Sequence, residues 1–104
     1  MKKYLVVHGT ELYKRTNYKK ENWEYDFTIG NDVIRITDNL ENATKEYNSL
    51  RLIDYIQGNS RYIDFKAIYE YDGDLITDDD INNNEYDSDL LKLYIDEYLS
   101  DVLL

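Results

Sequence analysis

Carboxylates are the only reactive groups this sequence offers in quantity. The stretch Tyr71 to Asp89, YDGDLITDDDINNNEYDSD, holds Asp72, Asp74, Asp78, Asp79, Asp80, Glu85, Asp87 and Asp89. That is eight of the chain's 22 acidic residues, with no basic residue among them. Two carboxylates can divide the roles of acid and base, but so many pairs are available here that pairing singles out no mechanism. His8 is the sole histidine, so a multi-histidine metal site is excluded. It falls on an expected strand, where a structural role is the ordinary one. Cysteine is absent, which removes thiolate metal sites and disulfides and fits a reducing compartment. Only four glycines occur and none forms a phosphate loop. The expectation is a protein that is not an enzyme and carries no cofactor.

A hard cation is the alternative use of such oxygens. With Asp78 at position 1 of a calcium-loop frame, Asp80, Asn82, Asn84 and Asp89 fall at positions 3, 5, 7 and 12. The frame then puts Asn83 where glycine is needed, Glu85 at the apolar position and Asp89 where glutamate is usual. A calcium-binding loop therefore stands behind the reading of the stretch as a presented acidic surface.

Charge distribution favours that surface. Residues 70–104 hold 12 acidic side chains and one basic, Lys92, for a net of −11. Residues 1–69 hold 10 acidic and 11 basic side chains, for a net of +1. The whole imbalance of the chain, −10, thus lies in its last third. Duplex DNA presents one negative charge per ~1.7 Å of axis. Carboxylates at comparable density compete for the same Lys/Arg groove, and their field steers encounter. Asp96, Glu97 and Asp101 extend the acidic surface, and Tyr86 is its expected aromatic anchor. Lys14, Arg15, Lys19 and Lys20, with Tyr13 and Tyr18, could touch phosphates, but the net charge opposes direct nucleic-acid binding. A homodimer in which the basic first twenty residues of one copy meet the acidic end of another is a further option.

The elements that must position these groups follow from periodicity. At 104 residues the chain suits one domain, 1–104, with a radius of gyration of roughly 13 Å. Lys3–His8 reads as a strand and residues 11–22 as turn and loop. Trp23, Tyr25, Phe27 and Ile29 alternate with polar residues, Gly30-Asn31 follows, and Val33–Thr37 is β-rich. That pattern predicts a two-residue hairpin pairing Phe27 with Ile34, Tyr25 with Ile36 and Asp26 with Arg35. Asp38 and Glu41 predict a capped helix start. Its stripe runs through Leu40, Ala43, Tyr47 and Leu50 and extends through Ile53 and Ile56 to Gly58 as the C′ residue. The competing option ends the helix near Ser49 and makes Leu52–Ile56 a short strand. Tyr62–Tyr71 reads as a strand, followed by the acidic loop. A last helix is capped by Asp87 or Ser88, with Leu91, Ile95, Tyr98 and Val102 inward. The sum is α+β, in the order β-β-β-α-β-α, with a small antiparallel or mixed sheet and helices packed on one face.

In size, acidity, lack of cysteine and richness in Tyr, Asp and Asn, the chain resembles the small inhibitor proteins of phages and mobile elements, of the anti-CRISPR and DNA-mimic type. Its abundance of Asn, Ile, Lys and Tyr, whose codons are rich in A and T, fits an AT-rich bacterial or phage genome. The resemblance implies a basic nucleic-acid-binding partner, a CRISPR effector or another nuclease, met in the cytoplasm of a bacterial host. No run of the sequence approaches the roughly 20 apolar residues of a membrane span. The apolar run after Lys3 is too short for a signal peptide.

Overall fold

The computed structural model describes residues 1–19 and 22–94. Two long strands, β1 (Lys2–Lys14) and β4 (Ser60–Asp72), pair antiparallel along their whole length at the centre of the sheet. β2 (Glu24–Thr37) flanks β1, and β3 (Asp54–Gln57) flanks the start of β4. β5 (Lys92–Leu93) pairs with β4 near its end. Helix α1 (Leu40–Ser49) joins β2 to β3. Helix α2 (Asp78–Asn82) and a 3₁₀ turn (Ser88–Leu90) lie between β4 and β5. The fold is α+β around a five-stranded antiparallel sheet, in the order β-β-α-β-β-α-β.

The two sheet faces are both covered at one end, which corrects the expectation of helices on one face. Side chains alternate along a strand, so odd and even residues of β1 line opposite faces. Leu5, Val7 and Tyr71 bury one face against Ile76 and Ile81, the latter from α2. Val6 and Ile68 bury the other against Ala43 and Tyr47 of α1. Each fully buried Leu or Ile contributes about 1.5–3 kcal/mol. The central strand segments 5–7 and 67–71 are thus sandwiched between two helices of the same short chain.

Several expected boundaries shift, each for a tertiary reason. β1 does not stop at His8, because Thr10, Glu11, Leu12 and Tyr13 continue to pair with β4. The Gly30-Asn31 hairpin does not form. Residues 24–37 are one strand along β1, and none of the three expected pairs exists; Phe27 lies opposite Leu12 and Ile36 opposite Leu5. Gly30 keeps its positive φ of 62° but uses it to bulge the strand. Further register shifts leave Asp26 and Ile34 without a partner on β1, so a bulge recurs every four residues.

Helix α1 starts one residue later than expected, with Asn39 as N-cap, and it ends at Ser49. The helix ends where the shorter option put it, with Lys66 Nζ on the terminal carbonyls of Tyr47 at 3.0 Å and Leu50 at 3.4 Å, but the strand that follows is Asp54–Gln57 rather than Leu52–Ile56. Gly58, with φ 63°, then makes the two-residue turn between β3 and β4 rather than a helix cap. Residues 88–94 do not form an α-helix; they give the 3₁₀ turn and β5. Ile95, Tyr98 and Val102 of the expected last helix lie outside the described residues.

The molecule is longer than a compact chain of this size. Its radius of gyration is 15.9 Å and its extents are 51 × 34 × 19 Å. Strands of 13 residues reach well past the helices. In that far half of the sheet Leu12 is still buried, at 5% exposed.

Candidate functional site

The acidic segment is folded rather than a loop, and its aspartates have local work. Thr77 caps α2 by accepting from the Asp80 backbone N–H at 3.1 Å, while the Asp80 carboxylate accepts from the Thr77 N–H at 3.0 Å. This reciprocal box satisfies two donors of the helix start. Asp78, Asp79 and Asp80 occupy the first turn, where negative charge complements the helix dipole. The Thr77 N–H bond is the main cause that holds the Asp80 carboxyl below its ordinary range. Ile81 anchors the helix beneath, and only 1% of it is exposed.

Antiparallel pairing of β1 and β4 carries part of the basic N-terminal region to this segment. Lys2 meets Glu70 at 3.2 Å, and Lys3 meets Asp78 at 3.2 Å. The Met1 amine lies 3.3 Å from Asp72 and 3.1 Å from Asp74. Asp72 also accepts the Asp74 N–H at 2.9 Å, which is the first cause of its lowered pKa, the amine being the second. The Tyr71 hydroxyl donates to Asp78 at 3.3 Å. Burial, and then the Asp78 charge, push its pKa well above the ordinary phenol range. Asp87 caps the 3₁₀ turn through the Asp89 N–H.

What is left over defines the presented surface. Asp79, Glu85 and Asp89 are exposed, and their carboxylates have no hydrogen-bond or ion-pair partner among the described residues. Tyr86 is half-buried against the Leu5–Tyr71 cluster, so part of its ring serves the protein's own core. Asp96, Glu97 and Asp101 lie outside the described residues. Of the calcium frame, Asp78, Asp80 and Asn82 stand on one short helix and Asp80 is engaged in its cap. Among the described residues no three His, Cys, Asp or Glu side chains are grouped so as to hold a metal ion.

The structure adds features that the sequence did not single out. A cleft of about 410 Å³ opens between the 3₁₀ segment and the sheet, floored by Leu5, Val7 and Val33 and rimmed by Asn31, Asn84 and Tyr86. Asn84 bears a positive φ of 56° there. On the opposite face His8 Nε2 lies 3.6 Å from Asp64, whose carboxylate takes hydrogen bonds from Thr10 Oγ1 and the Ile53 N–H. At the far end Arg15 lies over Trp23 and Tyr18 and donates to the Gly58 carbonyl. Residues 10–14, Thr-Glu-Leu-Tyr-Lys, do not alternate, so the sequence carried no clear signal for that extended half.

The capping box makes a pH-resolved prediction. Asp80→Ala should lower the melting temperature at neutral pH by removing the reciprocal bond. A carboxyl whose folded pKa is lowered stabilises above its unfolded pKa, near 4, and that contribution fades as pH falls through the folded value. The gap between wild type and variant should therefore narrow below about pH 4. Thermal melts followed by circular dichroism across pH 2.5–7 (roughly the window set by the carboxylate pKa) check it; a constant gap would count against the charged cap.

No protein-family model, curated protein or solved structure matches this chain. No helix among the described residues is long and apolar enough to cross a membrane.

Proposed function

We propose that the protein is a non-enzymatic inhibitor that binds the basic nucleic-acid groove of a partner through its acidic end. The partner class is a CRISPR effector or another nuclease, in keeping with the resemblance to anti-CRISPR and DNA-mimic proteins. The observation that carries this reading is the fixed placement of the uncompensated carboxylates. Asp79, Glu85 and Asp89 stand exposed on a segment pinned to the core by Ile76 and Ile81. Lys92 lines a cleft with Asp89, Lys14 at the other end of β1 is paired with Asp26 at 3.4 Å, and no ion pair reaches Asp79 or Glu85 among the described residues. An ordered array loses less conformational entropy on binding than an acidic tail would. Its charges compete for the Lys and Arg side chains that otherwise hold phosphates.

The test separates carboxylates that bind from those that fold. Asp78 and Asp80 hold Lys3 and the helix cap, so replacing them confounds binding with stability. The combined variant Asp79→Asn, Glu85→Gln, Asp89→Asn avoids both. Wild type should bind a nuclease from a purified panel, compete with duplex DNA, and weaken with salt. The triple variant should lose about tenfold or more in affinity, around 1.4 kcal/mol, with only a small shift in its melt from loss of the Asp79 charge at the start of α2. Equal affinity of the two proteins would overturn the assignment.

A further inference from the structure

We infer that the cleft between the 3₁₀ segment and the sheet is a receptor for an arginine side chain of the partner. The inference rests on the acidic end being a binding surface, and it names what that surface grips. The cleft holds about 410 Å³, within the roughly 300–1,000 Å³ of sites that enclose small groups. No lysine, arginine or histidine lines it. Its polar lining is neutral, made by Asn31, Tyr69, Asn84, Tyr86 and Ser88. None of these side chains hydrogen-bonds to another described residue, so their oxygens are available to a ligand.

Charge surrounds this neutral lining in a regular way. From 84 to 89 the chain reads Asn-Glu-Tyr-Asp-Ser-Asp. The lining residues Asn84, Tyr86 and Ser88 therefore alternate with Glu85, Asp87 and Asp89, which do not line the cleft. Such a wall draws a cation from a distance, repels an anion, and offers uncharged acceptors at contact. A guanidinium uses all of this. Its planar face suits a phenol ring, and its N–H fork donates to amide and hydroxyl oxygens. Its methylene stem matches the apolar floor of Leu5, Val7 and Val33. A lysine ammonium fits less well. It is a strongly hydrated point charge without a planar face, and the cleft lining holds no carboxylate to replace its water.

Chemical-shift titrations of the full chain at low salt test this with blocked tripeptides carrying arginine, lysine or citrulline between two glycines. The arginine peptide should move the side-chain amides of Asn31 and Asn84. It should bind about threefold or more tighter than the lysine peptide, the scale of one exposed cation–π contact. Citrulline keeps a planar head without the charge and should bind weakest. Asn84 has a φ of 56°, which glycine adopts without strain, and Asn31 is exposed on β2. The double variant Asn31→Ala, Asn84→Gly should therefore erase the arginine preference while the lysine peptide binds as before. Asp79→Asn, Glu85→Gln, Asp89→Asn together should weaken both charged peptides alike and leave the preference standing. Equal binding of arginine and lysine, equal binding of citrulline, or spectra in which Asn31 and Asn84 never move would each overturn the proposal. The acidic surface is judged separately: a nuclease bound through the carboxylates but indifferent to Asn31→Ala, Asn84→Gly would sink the arginine receptor alone.

Discussion

Ile81→Ala should cost about 2–5 kcal/mol and release the acidic segment while the long strands stay paired. The range is that of a buried aliphatic side chain cut back to alanine, and Ile81 is almost wholly enclosed by Leu5, Val7, Tyr71 and Ile76. A chain of this size has roughly 5–15 kcal/mol in total, so the loss is a large share. Its distribution is the informative part. Helix α2 has five residues and is far too short to persist without its anchor. The β1–β4 pairing retains the second cluster on the α1 face, built from Val6, Ala43, Tyr47 and Ile68. Amide exchange should therefore quicken for residues 76–91 more than for 4–8 and 66–70. Ile68→Ala, of similar cost, should instead loosen the centre of the sheet. Under the proposed function the first variant loses partner affinity even though every carboxylate is retained. Uniform loss of protection in Ile81→Ala would show that the two faces do not unfold separately.

How much of this was legible in the sequence depends on whether the deciding interaction was local. The β4 strand was, because Ile63, Phe65, Ala67, Tyr69 and Tyr71 alternate and end at a turn residue. The start of α1 was, to within one residue, because caps are made by neighbours in sequence. The end of α1 was not. Ile53 and Ile56 continue its stripe, but the carbonyls at its terminus are held by Lys66, sixteen residues past Leu50. Gly30 was identified as a residue with positive φ, and the structure gives it one. A hairpin turn and a bulge make the same local demand, so only pairing with β1 distinguishes them. The charge of the acidic stretch was visible, yet its division into capping, paired and uncompensated carboxylates required the N-terminus to arrive along β1.

Gly9→Ala should be among the most damaging single-methyl additions in the chain. A Cβ at Gly9 would lie 2.5 Å from Phe65 Cζ and 2.7 Å from the Gly30 carbonyl oxygen. The ring could tilt, but the carbonyl is backbone and belongs to the bulge that sets the local twist of β2. Overpacking of this kind costs about 1–3 kcal/mol, and Gly9→Val should cost more. Gly30 offers the contrast. Nothing lies within 4 Å of a Cβ placed there, so a substitution meets only the penalty of positive φ, about 1–2 kcal/mol. Asparagine visits that region readily, so Gly30→Asn should be milder still. The steric origin of the Gly9 effect can be isolated with Phe65→Leu, which removes the ring but keeps an apolar side chain. If the ring is the obstacle, Gly9→Ala should cost less in that background; if the carbonyl is, the cost should persist. Chemical denaturation of the four proteins in that cycle measures the coupling directly. A Gly9→Ala variant as stable as wild type would mean that Phe65 and the Gly30 bulge do not close over this strand as they do here.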